Sequence, residues 1–230
     1  MKLFKASMVL TVCASLFLAS CNMSNTGKGA LIGGGSGGAL GAGIGALIGG
    51  GKGAAIGSGI GAAVGAGAGA LIGNKMDKQQ KALQEELANA KVEQTTDANG
   101  LQAIRVTFDG GILFPTGKWT INQSAQNELK QFAQSLKQNP LTDVYIAGFT
   151  DNTGTMAANE KVSTNRADAV KTFLTEQGIA SSRLTAKGYP MANYLNDNKT
   201  AAEQAANRRV EVYIYASEAM IQQAENGTLQ

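Results

Sequence analysis

Residues 147–174 read AGFTDNTGTMAANEKVSTNRADAVKTFL, and the fold turns on them. Val144 and Ile146 alternate with polar neighbours just before this stretch, and the chain then meets Thr150-Asp151-Asn152-Thr153-Gly154. That is a strand running into a loop. Beyond Gly154 the apolar residues fall at Val162, Ala169, Val170, Phe173 and Leu174, which is helical spacing, and Gly178 closes the helix. Asp151 therefore stands at the C-terminal end of a strand, and Arg166 lies on the helix that follows. A carboxylate and a guanidinium so placed match a zwitterion. The acid takes an ammonium, and the planar fork takes a carboxylate through two parallel bonds. The same residue types also fit a turn aspartate and a solvated helix arginine.

Gly148-Phe149-Thr150-Asp151, Asn159, Val162-Ser163, Arg166-Ala167, Val170 and Leu174 stand at offsets that resemble the signature of the OmpA-like peptidoglycan-binding domain. Asn207-Arg208-Arg209-Val210-Glu211-Val212 supplies a matching second block, and the resemblance covers residues 101–216. It implies an α+β fold, a βαβαββ sandwich, that binds the cell wall without cutting it. In that reading Asp151 and Arg166 grip the diaminopimelate of the peptidoglycan stem peptide. Thr150, Asn159 and Val162 belong to the same ligand-binding set, and Arg209 supports the sheet edge. The chain departs from the family pattern at several places. Pro115 stands where an acid is usual, Phe149 precedes the Thr-Asp pair, and Gln204 replaces an arginine. The loop Gly188-Tyr189-Pro190…Tyr194 lacks the family's second glycine and its proline.

Around this stretch the chain reads as one sheet with helices. Ala103–Phe108 alternates as a half-buried strand, and Asp109-Gly110-Gly111 turns it. Asn122 or Ser124 caps a helix with Leu129, Phe132, Ala133 and Leu136 on one face, which stops before Pro140. Residues 183–187 form a short strand, 188–200 a polar loop, and a helical turn follows through Ala205. The last strand, 209–215, sets Val210, Val212 and Ile214 on one face and Arg209, Glu211, Tyr213 and Tyr215 on the other. Helices over one side of a sheet make an α+β sandwich. The polar tail, 217–230, reads as a loose helix.

The N-terminal part is of a different kind. Residues 1–20 carry Lys2 and Lys5 and then an apolar run from Met8 to Leu18, the pattern of a signal peptide. Leu18-Ala19-Ser20-Cys21 resembles a bacterial lipobox, which implies lipidation of Cys21 and a mature N-terminus at 21–26. Cys13 leaves with the signal, so no intramolecular disulfide can form. Most of the chain's 30 glycines fall between 27 and 73, and from Gly29 to Gly73 a glycine stands at every fourth position without a break. In water such a stretch makes a poor helix, whereas in lipid the backbone must close its own hydrogen bonds and a glycine groove lets helices approach. The pattern resembles the glycine-zipper segments of bacterial envelope lipoproteins and implies a membrane-inserted helical hairpin with spans at 30–48 and 54–73. A flexible tether and an oligomerising, pore-like segment stay open. Residues 74–100 read as a helical stalk and linker, with Met76, Leu83, Leu87 and Ala90 on a near-heptad seam.

At 230 residues and a formal net charge of +3 there is room for one globular domain with extensions, and no argument for nucleic acid. The chain has no histidine, the commonest metal ligand and general base, and no second acid joins Asp151 in a recognisable catalytic pair. The expectation is a non-catalytic envelope lipoprotein without cofactor or metal. Cys21 and residues 27–73 hold it in the outer membrane, and the globular domain binds peptidoglycan in the periplasm. The alternative is a membrane-active homo-oligomer whose wall domain only locates it.

Overall fold

The computed structural model describes residues 64–97, 100–115 and 117–230. The signal peptide, Cys21 and the expected zipper hairpin as far as residue 63 lie outside the described residues. The described chain runs α1 (Ala66–Glu86), β1 (Ala90–Thr96), β2 (Gln102–Asp109), α2 (Gly110–Leu113), α3 (Gln123–Gln138), β3 (Thr142–Phe149), α4 (Met156–Glu176), a 3-10 turn (Ser181–Arg183), β4 (Leu184–Tyr189), α5 (Ala201–Asn207), β5 (Arg209–Ala216) and α6 (Glu218–Glu225).

The strands lie in the order β1-β2-β5-β3-β4, with β3 and β4 parallel and the other pairs antiparallel. This is the expected α+β architecture. The α3 face packs as its spacing predicts, with Leu129, Phe132, Ala133 and Leu136 all buried against the sheet. Asn122 starts that helix, but its side chain turns back to donate to the Ile112 carbonyl at 2.9 Å instead of capping. Helix α4 begins at Thr155, whose hydroxyl accepts from the Ala158 amide. It ends in a Schellman turn: Gly178 takes φ +91°, its amide donates to Thr175, and Ile179 donates to Leu174.

The structure corrects the sequence reading at both ends of the domain. Met76, Leu83 and Leu87 do not face a partner helix; they are buried in the domain's own core, together with Ala68 and Ile72. Helix α1 lies against β1, β2, α3 and α6, so the expected stalk is a docked element. The seam finds an apolar surface within its own domain, and burial there is worth roughly 1.5–3 kcal/mol for each large side chain. Residues 66–73, assigned above to the second membrane span, belong to this helix. No described helix is long and apolar enough to cross a membrane. After α1, Glu128 of α3 accepts the Asn89 amide at 2.6 Å and turns the chain into β1, an edge strand within the expected linker. The tail is also ordered: Ser217 caps α6, which buries Met220, Ile221 and Ala224.

Arg209 is likewise corrected. It lies on the central strand β5, not at a sheet edge, and is 3% exposed. Its Nε donates to Glu211 at 2.7 Å, its Nη2 donates to the Asn193 carbonyl at 2.9 Å, and its guanidinium stacks 4.0 Å from the Phe149 ring. The Tyr213 hydroxyl donates to the other Glu211 oxygen.

Candidate functional site at the end of the sheet

One end of the sheet gathers the segments that matter. Strand register sets Asp109 opposite Arg209, Gly148 opposite Val210, and Phe149 opposite Tyr189. Asp151 leaves β3 at this end, and Arg208 enters β5 there. The two therefore meet although 57 residues separate them.

Asp151 is 3% exposed. Its Oδ1 accepts from the Thr153 amide at 2.9 Å and from the Thr153 hydroxyl at 2.5 Å, the geometry of an Asx turn. Its Oδ2 accepts from Arg208 Nη1 at 2.5 Å. Burial pushes the Asp151 pKa up, but the Thr153 bonds and the Arg208 charge outweigh it and hold the group below its ordinary value.

Arg166 is 4% exposed and lies on the α4 face that packs on the sheet. Its Nε donates to the Lys118 carbonyl at 3.1 Å, and the guanidinium stacks 5.2 Å from the Phe114 ring. It forms no ion pair with any of the described residues. Burial and then the neighbouring Arg208 charge pull its pKa down, with Asp151 opposing them. Two guanidiniums thus share the field of one carboxylate. The site carries surplus positive charge, two guanidiniums to one carboxylate, a balance that suits an anion.

The other expected site residues are placed as follows. Thr150 is buried, and its hydroxyl accepts the Met191 amide at 3.0 Å, so it ties the β4–α5 loop to the end of β3. Asn159 donates from one amide nitrogen to the Thr153 carbonyl at 2.7 Å and the Thr155 carbonyl at 3.1 Å. It shapes the loop that carries Asp151. Val162 is half-buried on α4, one turn before Arg166. Cys21 lies outside the described residues.

Arg208 is the residue that the sequence reading did not single out. Three consecutive residues divide the work here. Asn207 is fully buried; its Oδ1 accepts from the Leu195 amide at 2.7 Å and its Nδ2 donates to the Asn196 carbonyl at 3.1 Å. Arg208 pairs Asp151, and Arg209 pairs Glu211. The Arg208 backbone is held by Gly110, whose amide donates to its carbonyl at 2.8 Å. A Cβ on Gly110 would sit 2.3 Å from that oxygen, so only glycine allows the approach. The signal available in sequence was the doubled arginine at the junction of two elements: Arg208 is the C-cap of α5, and Arg209 is the first residue of β5.

Comparison with known proteins agrees with this picture. Residues 113–208 match the sequence model of the OmpA family, and residues 1–81 match that of the YMGG-like Gly-zipper. The chain is 40% identical over 115 residues to outer membrane porin F of Pseudomonas fluorescens, a match covering 50% of this chain and 35% of that protein. It is 37% identical over 137 residues to the probable lipoprotein YiaD of Escherichia coli (strain K12), covering 60% of this chain and 61% of that one. The chain thus spans about a third of the first relative's length and about three fifths of the second's. The crystal structure of a putative MotB-like protein from Desulfovibrio vulgaris shares the fold, with a TM-score of 0.55 at 22% identity over 64% of this chain and 94% of that one.

Proposed function

We propose that this chain, whose residues 113–208 match the sequence model of the OmpA family, is a non-catalytic anchor between the outer membrane and peptidoglycan. It binds the diaminopimelate of the stem peptide at Asp151 and Arg166. The observation that carries the reading is the buried Arg166 guanidinium, which lacks a carboxylate partner among the described residues while Asp151 beside it is held ionised. Leaving a charge buried and unpaired is costly, and a ligand carboxylate offsets that cost. The ligand's ammonium would share Asp151 Oδ2 with Arg208, since Oδ1 already accepts two bonds from Thr153. Arg208 joins the set by fixing Asp151 and adding positive charge. At the other end of the chain, lipid on Cys21 and the zipper at 27–63 supply the membrane attachment; one acyl chain alone holds only marginally. Incorporation of labelled palmitate that survives Cys21→Ser would refute the lipid attachment.

The wall-binding reading is tested by pull-down of the full chain on purified sacculi. Removing one partner of a buried charge-assisted contact costs about 2–5 kcal/mol. Arg166→Ala and Asp151→Ala should each lower binding at least about tenfold. Wild-type binding by both variants would refute the assignment.

A further inference from the structure

The large apolar side chains that the described residues leave exposed are Leu71, Ile112, Trp119, Met156, Tyr194 and Leu195. All but Leu71 stand on the segments that frame the Asp151 end of the sheet: α2 and the loop after it, the start of α4 and the β4–α5 loop. Scattered exposed apolar residues need no explanation, but a set gathered at the rim of a buried charged site marks a contact surface.

Trp119 is the sharpest member of the set and the chain's one tryptophan. It is 38% exposed, an unusual position for the largest side chain. The residue before it, Lys118, carries the carbonyl that Arg166 Nε donates to, so the backbone next to Trp119 is tied to the Arg166 side chain. The ammonium of Lys161, five residues before Arg166 on α4, lies 5.7 Å from the indole centroid. The result is an aromatic surface with a cation over its ring, on the segment whose backbone Arg166 holds. The charges around it, Lys161, Arg166 and Arg208 against Asp151, favour a ligand that carries carboxylates.

We propose that Trp119 is a glycan subsite: its indole stacks on the C–H face of the amino sugar to which the stem peptide is attached, and Lys161 holds the indole in that orientation. This rests on the reading of Asp151 and Arg166 given above. A saturated sugar ring presents an apolar C–H face bordered by hydroxyls, which matches an indole with an ammonium 5.7 Å from its ring centroid. A peptide-only site has no use for an exposed indole at this point, since its charged ends are already met by Asp151 and the guanidiniums.

The test is a pair of titrations on the full chain in detergent, using a soluble stem peptide that carries its disaccharide and the same peptide without sugar. Calorimetry reads the affinity of every variant, and in the unsubstituted chain the single tryptophan reports as well. The disaccharide form should shift and enhance indole emission and bind about three- to tenfold tighter than the bare peptide. Trp119→Ala should erase that difference in affinity, and Trp119→Phe should restore part of it. Equal affinity of the two ligands for the unsubstituted chain, or an equal loss for both in Trp119→Ala, overturns the glycan subsite while leaving the Asp151–Arg166 reading in place. If neither ligand binds, the underlying reading fails and this one with it.

Discussion

Gly148 and Gly188 face each other across the parallel β3–β4 ladder, and α4 rests on both. A Cβ on Gly148 would lie 2.2 Å from the Ser163 carbonyl oxygen, and one on Gly188 would lie 2.6 Å from the Ser163 hydroxyl and from the Thr164 amide. Arg166 is one helical turn beyond Ser163. The two glycines therefore set how closely the helix that carries Arg166 lies on the sheet. Gly148→Ala should destabilise the domain by about 1–3 kcal/mol, as overpacking does. It should weaken sacculus binding in the folded fraction as well. Urea unfolding together with pull-down checks both effects, and an unchanged midpoint with unchanged binding contradicts the packing argument.

The docking of α1 is tested at Leu83, which is fully buried. Leu83→Ala should lower stability by about 2–5 kcal/mol, the usual cost of a cavity in a core. A free stalk would show no change in the domain's urea midpoint. Gly69, also on α1, has open space where a Cβ would be. Gly69→Ala should therefore raise stability by roughly 0.5–1 kcal/mol.

Glu211 is buried with Arg209, each side chain being under 5% exposed. Glu211→Gln keeps the shape but leaves the guanidinium without its counter-charge. Breaking a buried pair in this way costs about 3–5 kcal/mol. Chemical denaturation of the variant should show a loss of that order, and the loop held by Arg209 at Asn193 should become more open to proteolysis. A midpoint within error of the parent would show that the pair contributes little.

Asp151 gives a pH signature. Its folded pKa lies below its ordinary value, so its ionised form stabilises the native state at pH values above the ordinary carboxylate range. That contribution fades as pH falls through the lower folded value. The stability gap between the parent and Asp151→Asn should be widest near neutrality and should close on acidification, followed by urea unfolding from about pH 6 to about pH 2. A gap that stays constant or widens as pH falls contradicts the assignment.

Much of this was readable in the chain because local and global signals agreed. The α3 stripe follows from helical periodicity and packs as that periodicity requires, and Gly178 stops α4 as expected, while β5 alternates in sequence but is buried on both faces. Asp151 and Arg166 were visible through fixed offsets on one strand-loop-helix unit. What was missed depended on distant contacts. β1 buries only Val92 fully and is polar on either side, so nothing in AKVEQTT separates an edge strand from a linker. The α1 seam has heptad spacing whether it meets another helix or its own domain. The Arg208 link to Asp151 exists only because β3 and β5 are antiparallel neighbours, a fact of topology that no local pattern carries.

The central claim is that the Arg166 guanidinium and the Asp151 carboxylate together read the zwitterionic end of diaminopimelate. Calorimetric titration of the full chain in detergent, with a diaminopimelate stem peptide and with the same peptide bearing lysine at that position, tests it most directly. Lysine keeps the ammonium and lacks the extra carboxylate. The diaminopimelate peptide should bind at least about tenfold tighter, and Arg166→Ala should remove that preference. Equal affinity for the two peptides, or a preference that survives Arg166→Ala, would contradict the account.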